Sequence, residues 1–177
     1  MKREIYFRDL RTNYWPALEA IKPYFLAPDA PQMWGESGND DWAIGIYGFN
    51  GTEDGLRFAR VGSGQKQQEW AELEMWGDPN LGVMLWYQRV GGGPTIYQYS
   101  AGDMSRQNQW TRTLQSDLRP VSLYIPYDKA WLAVKEFMET DGQLPKCIQW
   151  ISSMDVPSNS FPVPHDESIV AINDHLP

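Results

Sequence analysis

Two glutamates in the run of residues 69–76 are the side chains best placed to do chemistry in this chain. If the run forms a β-strand, alternation puts four side chains on one face: Trp70, Glu72, Glu74 and Trp76. The three residues between them would then face the core: Ala71, Leu73 and Met75. Carboxylates two positions apart on a strand are separated by about 7 Å. That distance is compatible with the acid pair of a glycoside hydrolase, and the flanking tryptophans suit sugar rings.

The same face supports two further interpretations. Its acids would attract a basic protein partner, while the tryptophans would serve as buried anchors in the interface. Alternatively, the alternating acids only mark the solvated side of a strand.

Two acidic turns could extend this face. Asp40 and Asp41 precede the first predicted strand, and Glu53 and Asp54 lie in the turn that follows it. Alternate turns of a meander gather at one end of the sheet, but the sequence does not decide whether these two pairs join the face of Glu72. Ordinary turn residues are the other interpretation.

Other catalytic groups are scarce. The two histidines, His165 and His175, lie in the C-terminal tail, where a positioned general base is not expected. Cys147 is the single cysteine, which excludes an internal disulfide, and we expect a buried structural thiol in a final strand. We therefore predict no catalytic residue, no metal site and no cofactor.

The elements that position the acidic face are predicted from periodicity and turn residues. A short helix is expected around residues 15–21, followed by five short strands at residues 42–49, 56–61, 69–76, 81–90 and 95–100. Residues 101–119 are polar and are interpreted as an irregular insertion or an exposed helix. A sixth strand is expected at 121–125.

Residues 126–150 carry the clearest pattern in the chain. Five apolar residues recur at helical spacing: Ala130, Trp131, Val134, Phe137 and Met138. Pro126 suits the first turn of a helix, Gly142 suits its end, and Pro145 prevents its continuation. A short final strand is predicted at 144–151.

This order of elements resembles the Imm-one family of bacterial immunity proteins, which neutralise polymorphic toxins delivered by type VI and related secretion systems. The resemblance covers residues 5–152 in the order of elements and residues 126–150 in residue detail. It implies an α+β fold in which an antiparallel meander of about 5–7 strands packs with an N-terminal and a C-terminal helix. We expect a single domain over residues 1–154. The Pro-rich tail at 155–177 is expected to pack on it or to be partly disordered.

Charge narrows the choice of partner. The formal net charge is −8, which argues against nucleic acid and against an anionic membrane surface and favours a basic protein. The first residues lack the apolar run of a signal peptide, and no stretch approaches the ~18 apolar residues of a spanning helix. We therefore expect a cytoplasmic protein.

The resemblance implies a binding protein, not an enzyme, that occludes the active site of a cognate toxin with a basic cleft. The predicted contact residues are Trp70, Glu72, Glu74, Trp76, Asp40, Asp41, Glu53 and Asp54. Nine tryptophans also support a carbohydrate-binding or glycan-processing module. A bacterial or phage structural protein, whose aromatic residues serve packing alone, is the third possibility.

Overall fold

The computed structural model of the chain describes residues 4–8, 10–35, 40–48, 69–91, 93–162 and 168–174. The predicted strand at residues 56–61, the acidic turn of Glu53 and Asp54, and both histidines lie outside the described residues. Within them the structure is an antiparallel sheet with a layer of helices on one face, which confirms the predicted α+β class.

The described residues form ten strands. They are β1 (Glu4–Phe7), β2 (Leu10–Thr12), β3 (Asp41–Tyr47), β4 (Trp70–Asp78), β5 (Gly82–Val90), β6 (Ile96–Ser100), β7 (Trp110–Arg112), β8 (Leu118–Pro120), β9 (Tyr124–Ile125) and β10 (Trp150–Ser152). Eight of them make one sheet in the order β2-β1-β3-β4-β5-β6-β10, with β9 paired to β5. Strands β3 to β6 follow one another as the predicted meander. β3 pairs with β4 along its whole length.

Four α-helices in the described part of the chain accompany the sheet: α1 (Leu18–Ile21), α2 (Pro23–Leu26), α3 (Ala30–Met33) and α4 (Tyr127–Glu139). The single N-terminal helix predicted around residues 15–21 is instead a series of one-turn helices. Pro23 begins the second of them, because proline lacks only a donor that the first helical turn does not use.

The helices pack on the inner face of the sheet. The three predicted core residues of β4, Ala71, Leu73 and Met75, are each 0% exposed. The apolar stripe of α4 faces them as predicted, with all of its residues buried: Ala130, Trp131, Val134, Phe137 and Met138. Burial of these two periodic faces against each other supplies the main core.

Helix α4 ends as predicted, but the chain that follows it does not form the predicted strand from residue 144 onward. Gly142 takes a left-handed φ of 80°, as expected of a glycine at a helix end. The Glu136 carboxylate accepts the backbone N–H groups of Lys146 and Cys147, and this segment therefore lies against α4 instead of extending into a strand. The final strand begins only at Trp150. The prediction of a buried Cys147 is wrong, since this residue is exposed.

Four strands were missed by the sequence analysis: β1, β2, β7 and β8. β1 pairs with β3 and places Ile5 and Phe7 in the main core. Within residues 101–119, β7 and β8 form a separate two-stranded sheet in which Thr111 and Leu118 are each 1% exposed. The predicted irregular insertion or exposed helix is therefore wrong for residues 110–119, whereas Met104–Arg106 do form one turn of 3-10 helix with no buried residue.

Described parts of the C-terminal tail contact the rest of the chain. Trp110 donates its indole N–H to the Ser160 carbonyl at 2.9 Å, and the Phe161 ring lies 5.1 Å from that of Tyr99. The domain boundary at residue 154 stays a prediction.

Candidate functional site

The outer face of β4 carries the four side chains predicted to form a site. Trp70, Glu72, Glu74 and Trp76 do share this face, opposite the core residues. However, Trp70 and Trp76 are each 8% exposed and Glu72 is 3% exposed, whereas Glu74 is partly exposed. The interpretation of this face as the solvated side of a strand is therefore wrong for three of the four side chains. Their role in binding stays a prediction.

One end of this face is closed by tyrosines. Trp70 packs with Tyr47, Val90 and Tyr6. The Tyr6 ring lies directly over Gly45, where a Cβ would come within 2.5 Å of it. Burial and the neighbouring Glu72 carboxylate raise the pKa of Tyr6 far above its usual range. Glu72 is thus part of a buried polar row in the sheet.

The other end is closed by residues 119–124 and by β5. Trp76 packs with Met84, Leu123 and Tyr124, and the Arg119 guanidinium lies over its ring at 4.9 Å. Neither tryptophan therefore offers the open ring platform that a sugar site requires.

Two predicted acids, Asp41 and Glu74, share the outer face at the Trp76 end of β3 and β4, and a third, Asp40, directly precedes β3. Asp41 pairs with Trp76, and Glu74 occupies the diagonal position on the same face, at the ~7–8 Å typical of such neighbours. Asp40 directly precedes Asp41, and its carbonyl accepts the Gly77 amide at 2.9 Å. We call Asp40, Asp41 and Glu74 the acidic end of the sheet.

A cavity of about 400 Å³ opens beside the acidic end. Among its lining residues are Trp34 from the segment after α3, Asp40 and Asp78 from the two sides of the β3–β4 pair, and Arg112 and Leu114 from the β7–β8 hairpin. Two carboxylates therefore face one space, but their hydrogen bonding differs.

Asp78 is fully engaged. Its Oδ1 accepts the amides of Asn80 and Leu81 at 2.8 and 3.1 Å, and its Oδ2 accepts the buried Thr111 hydroxyl at 2.7 Å. The side chain is 7% exposed. These bonds tie the β4–β5 turn to the β7–β8 hairpin.

Asp40 is engaged on one side only. Its Oδ2 accepts the Leu114 amide at 2.9 Å, whereas its buried Oδ1 makes no hydrogen bond within the described parts of the chain. The residue is 8% exposed. Burial is the largest influence on its pKa and raises it, with a smaller contribution in the same direction from the Asp41 charge.

The outer wall of the cavity comes from the hairpin and the tail. Arg112 binds both carboxylate oxygens of Asp174, at 2.8 and 3.2 Å. Asn173, which also lines the cavity, exchanges hydrogen bonds with the Arg112 backbone, in which its side chain both donates and accepts. Three apolar side chains on these two segments remain exposed: Leu114, Val170 and Ile172.

The sequence analysis found Asp40 but not the residues that surround it. Neither Asp78 nor Arg112 was singled out by it. No local signal shows that residues near 34, 112 and 173 converge on this cavity, because their neighbourhood is created by tertiary contacts.

The described residues also bear on two other classes of function. They contain no group of three or more His, Cys, Asp or Glu side chains arranged to hold a metal ion. No helix in this part of the chain has the length and apolar character to cross a bilayer.

Comparison with known proteins gives one match. The model of the family described as Immunity protein Imm1 matches residues 57–152, more than half of the chain. No curated protein and no solved structure matches. The matched range contains β4 to β10 and α4, and so most of the sheet and the helix that packs on it. The chain belongs to the Imm1 family of immunity proteins, which neutralise toxins.

Proposed function

We propose that this chain binds a cognate secreted toxin and neutralises it by covering the toxin's active site with the acidic end of the sheet. The observation that supports this surface is the position of Asp41 and Glu74 on one face of the sheet, at the end where Asp40 lines a cavity, in an immunity protein of net charge −8. Such a surface suits a toxin with a basic active-site cleft. Charge complementarity accelerates the encounter, and buried contacts then slow dissociation.

The predicted contact set divides by exposure. We retain Asp40, Asp41 and Glu74 as contact residues, because they surround the cavity or reach the surface of the described fold. Trp70, Glu72 and Trp76 act as the support that holds β4 in place. Binding, not catalysis, is the proposed activity, and we expect it in the cytoplasm against a toxin from a type VI or related system.

Coexpression tests the function. We expect a neighbouring gene to encode the cognate toxin, whose toxic domain should kill cells that produce it alone and spare cells that also produce this chain. Loss of rescue by the unaltered chain would reject the proposed function. Rescue without a detectable complex would reject the binding mechanism.

Charge reversal tests the surface. Asp41→Lys with Glu74→Lys should lower the association rate constant for the toxin at least about tenfold at low salt and flatten its salt dependence. The matched control is Glu19→Lys with Glu139→Lys, an equal charge change at exposed residues of α1 and α4, on the helical side of the sheet. Stopped-flow association kinetics measures both. Equal effects of the two pairs would contradict the choice of surface.

A further inference from the structure

We propose that the cavity beside the acidic end receives a lysine or arginine side chain of the toxin, with the Asp40 carboxylate as its hydrogen-bond acceptor. This inference rests on the proposed function and names the contact by which the surface holds its partner.

The incomplete hydrogen bonding of Asp40 is the first support. A buried carboxylate normally has a partner for each oxygen, since an unpaired buried acceptor carries the full cost of desolvation. The Leu114 amide satisfies Oδ2. Oδ1 makes no hydrogen bond within the described residues. Because Oδ1 is buried in the unbound chain, the Asp40 side chain must turn toward the cavity before a cationic donor from a partner can complete the set.

The charges of the other lining groups select a cation. Asp78 adds a second carboxylate to the wall, and its own oxygens accept hydrogen bonds from Asn80, Leu81 and Thr111.

The Arg112 charge is matched by Asp174. Asp41 raises the Asp40 pKa and Arg119 lowers it, so each lies close enough to act on Asp40. An anionic ligand would meet two carboxylates, whereas a cation would meet one whose Oδ1 makes no hydrogen bond among the described residues.

The shape of the cavity suits a long side chain with a charged tip. Its volume of about 400 Å³ accommodates a lysine or arginine side chain, and Trp34, Pro31, Pro79 and Leu114 supply apolar wall for the aliphatic stem. Exposed Leu114, Val170 and Ile172 on the adjoining segments offer apolar contact to the surrounding toxin surface. The site therefore combines a buried acceptor with an apolar rim.

Small probes test the chemistry without the toxin. n-Butylguanidinium and n-butylammonium represent the two side chains, and n-butylurea is the neutral isostere of the first. In ¹⁵N-resolved spectra, at least one cation should shift the Trp34 indole and Leu114 amide signals saturably, with a dissociation constant of millimolar order. n-Butylurea should bind at least about tenfold more weakly. Preference for one cation identifies the side chain.

The Asp40→Asn variant and a pH series test whether the cation binds to the Asp40 carboxylate. Asp40→Asn keeps the size of the side chain and should weaken cation binding at least about tenfold. With the unaltered chain, binding should weaken as the pH falls through the pKa of Asp40, because the protonated carboxyl no longer attracts a cation. Equal binding of n-butylurea, equal binding to Asp40→Asn, or no saturable shift at about 50 mM cation would overturn the inference.

The affinity of the Asp40→Asn variant for the toxin distinguishes a failure of this inference from a failure of the proposed function. Asp40→Asn should raise the dissociation constant of the toxin complex about thirtyfold or more, as expected when one member of a buried charge pair is neutralised. If the unaltered chain rescues cells and Asp40→Asn binds within about twofold of it, the inference fails and the proposed function stands. If the unaltered chain does not rescue, the proposed function fails whatever the probes show.

Discussion

The two carboxylates on opposite sides of the cavity differ in the number of hydrogen bonds that they accept. On the strand side, Asp78 accepts three hydrogen bonds from the chain. On the loop side, Asp40 accepts one and keeps a buried oxygen without a hydrogen bond among the described residues. The exposed fractions of the two residues are nearly equal, at 7% and 8%, so burial alone does not separate their roles. A complete set of donors makes an acid structural, and an incomplete set leaves it available to a partner.

Removal of the Asp78 carboxylate gives the largest expected effect. Asp78→Ala leaves three donors without their acceptor, among them the buried Thr111 hydroxyl, and should lower the free energy of unfolding by about 3 kcal/mol. Urea denaturation measures the loss. Asp155→Ala, at an exposed residue, is the control and should stay within about 0.5 kcal/mol. A loss below about 1 kcal/mol for Asp78→Ala would remove the contrast between the two acids.

Removal of a single donor to Asp78 should have a smaller effect. Thr111→Val keeps the shape of the side chain but deletes the 2.7 Å bond to Oδ2. We expect a loss of about 1–1.5 kcal/mol by urea denaturation. In a double-mutant cycle with Asp78→Asn, the two losses should not add, because they share one hydrogen bond. Strict additivity would show that the bond contributes nothing.

Neutralisation of Asp40 should have the smallest effect on stability, and the opposite sign. At pH 7, Asp40→Asn should raise the free energy of unfolding by about 0.5–1 kcal/mol, since it removes a buried and under-bonded charge. Burial raises the folded pKa above its unfolded value. The folded state therefore binds the proton more readily, and the penalty in the unaltered chain disappears as the pH falls through that pKa.

Denaturation of both forms at neutral and acidic pH tests this linkage. The difference between Asp40→Asn and the unaltered chain should be largest at neutral pH and shrink toward acidic pH. A variant that is clearly less stable at pH 7, or a difference that grows as the pH falls, would mean that the Asp40 charge already has a stabilising partner in the fold.

The sequence predicts the parts of this molecule that local periodicity defines. The stripe of α4 and the alternation of β4 are correct because each repeats over several turns or residue pairs. The β7–β8 hairpin was missed, because its strands have three residues each and its burial depends on distant partners. The state of Asp40 is likewise set by an amide 74 positions away. Spacing along the chain carries no record of that contact.

The most direct test of the account is a titration of the toxin domain's own catalytic activity with the purified chain. The account predicts that activity falls to the background level at one chain per toxin domain. A higher concentration of the Asp40→Asn chain than of the unaltered chain should be needed to inhibit the toxin to the same extent. The control with Glu19→Lys and Glu139→Lys should inhibit as the unaltered chain does. A toxin that stays fully active in the bound complex, or an Asp40→Asn chain of unchanged potency and affinity, would contradict the account.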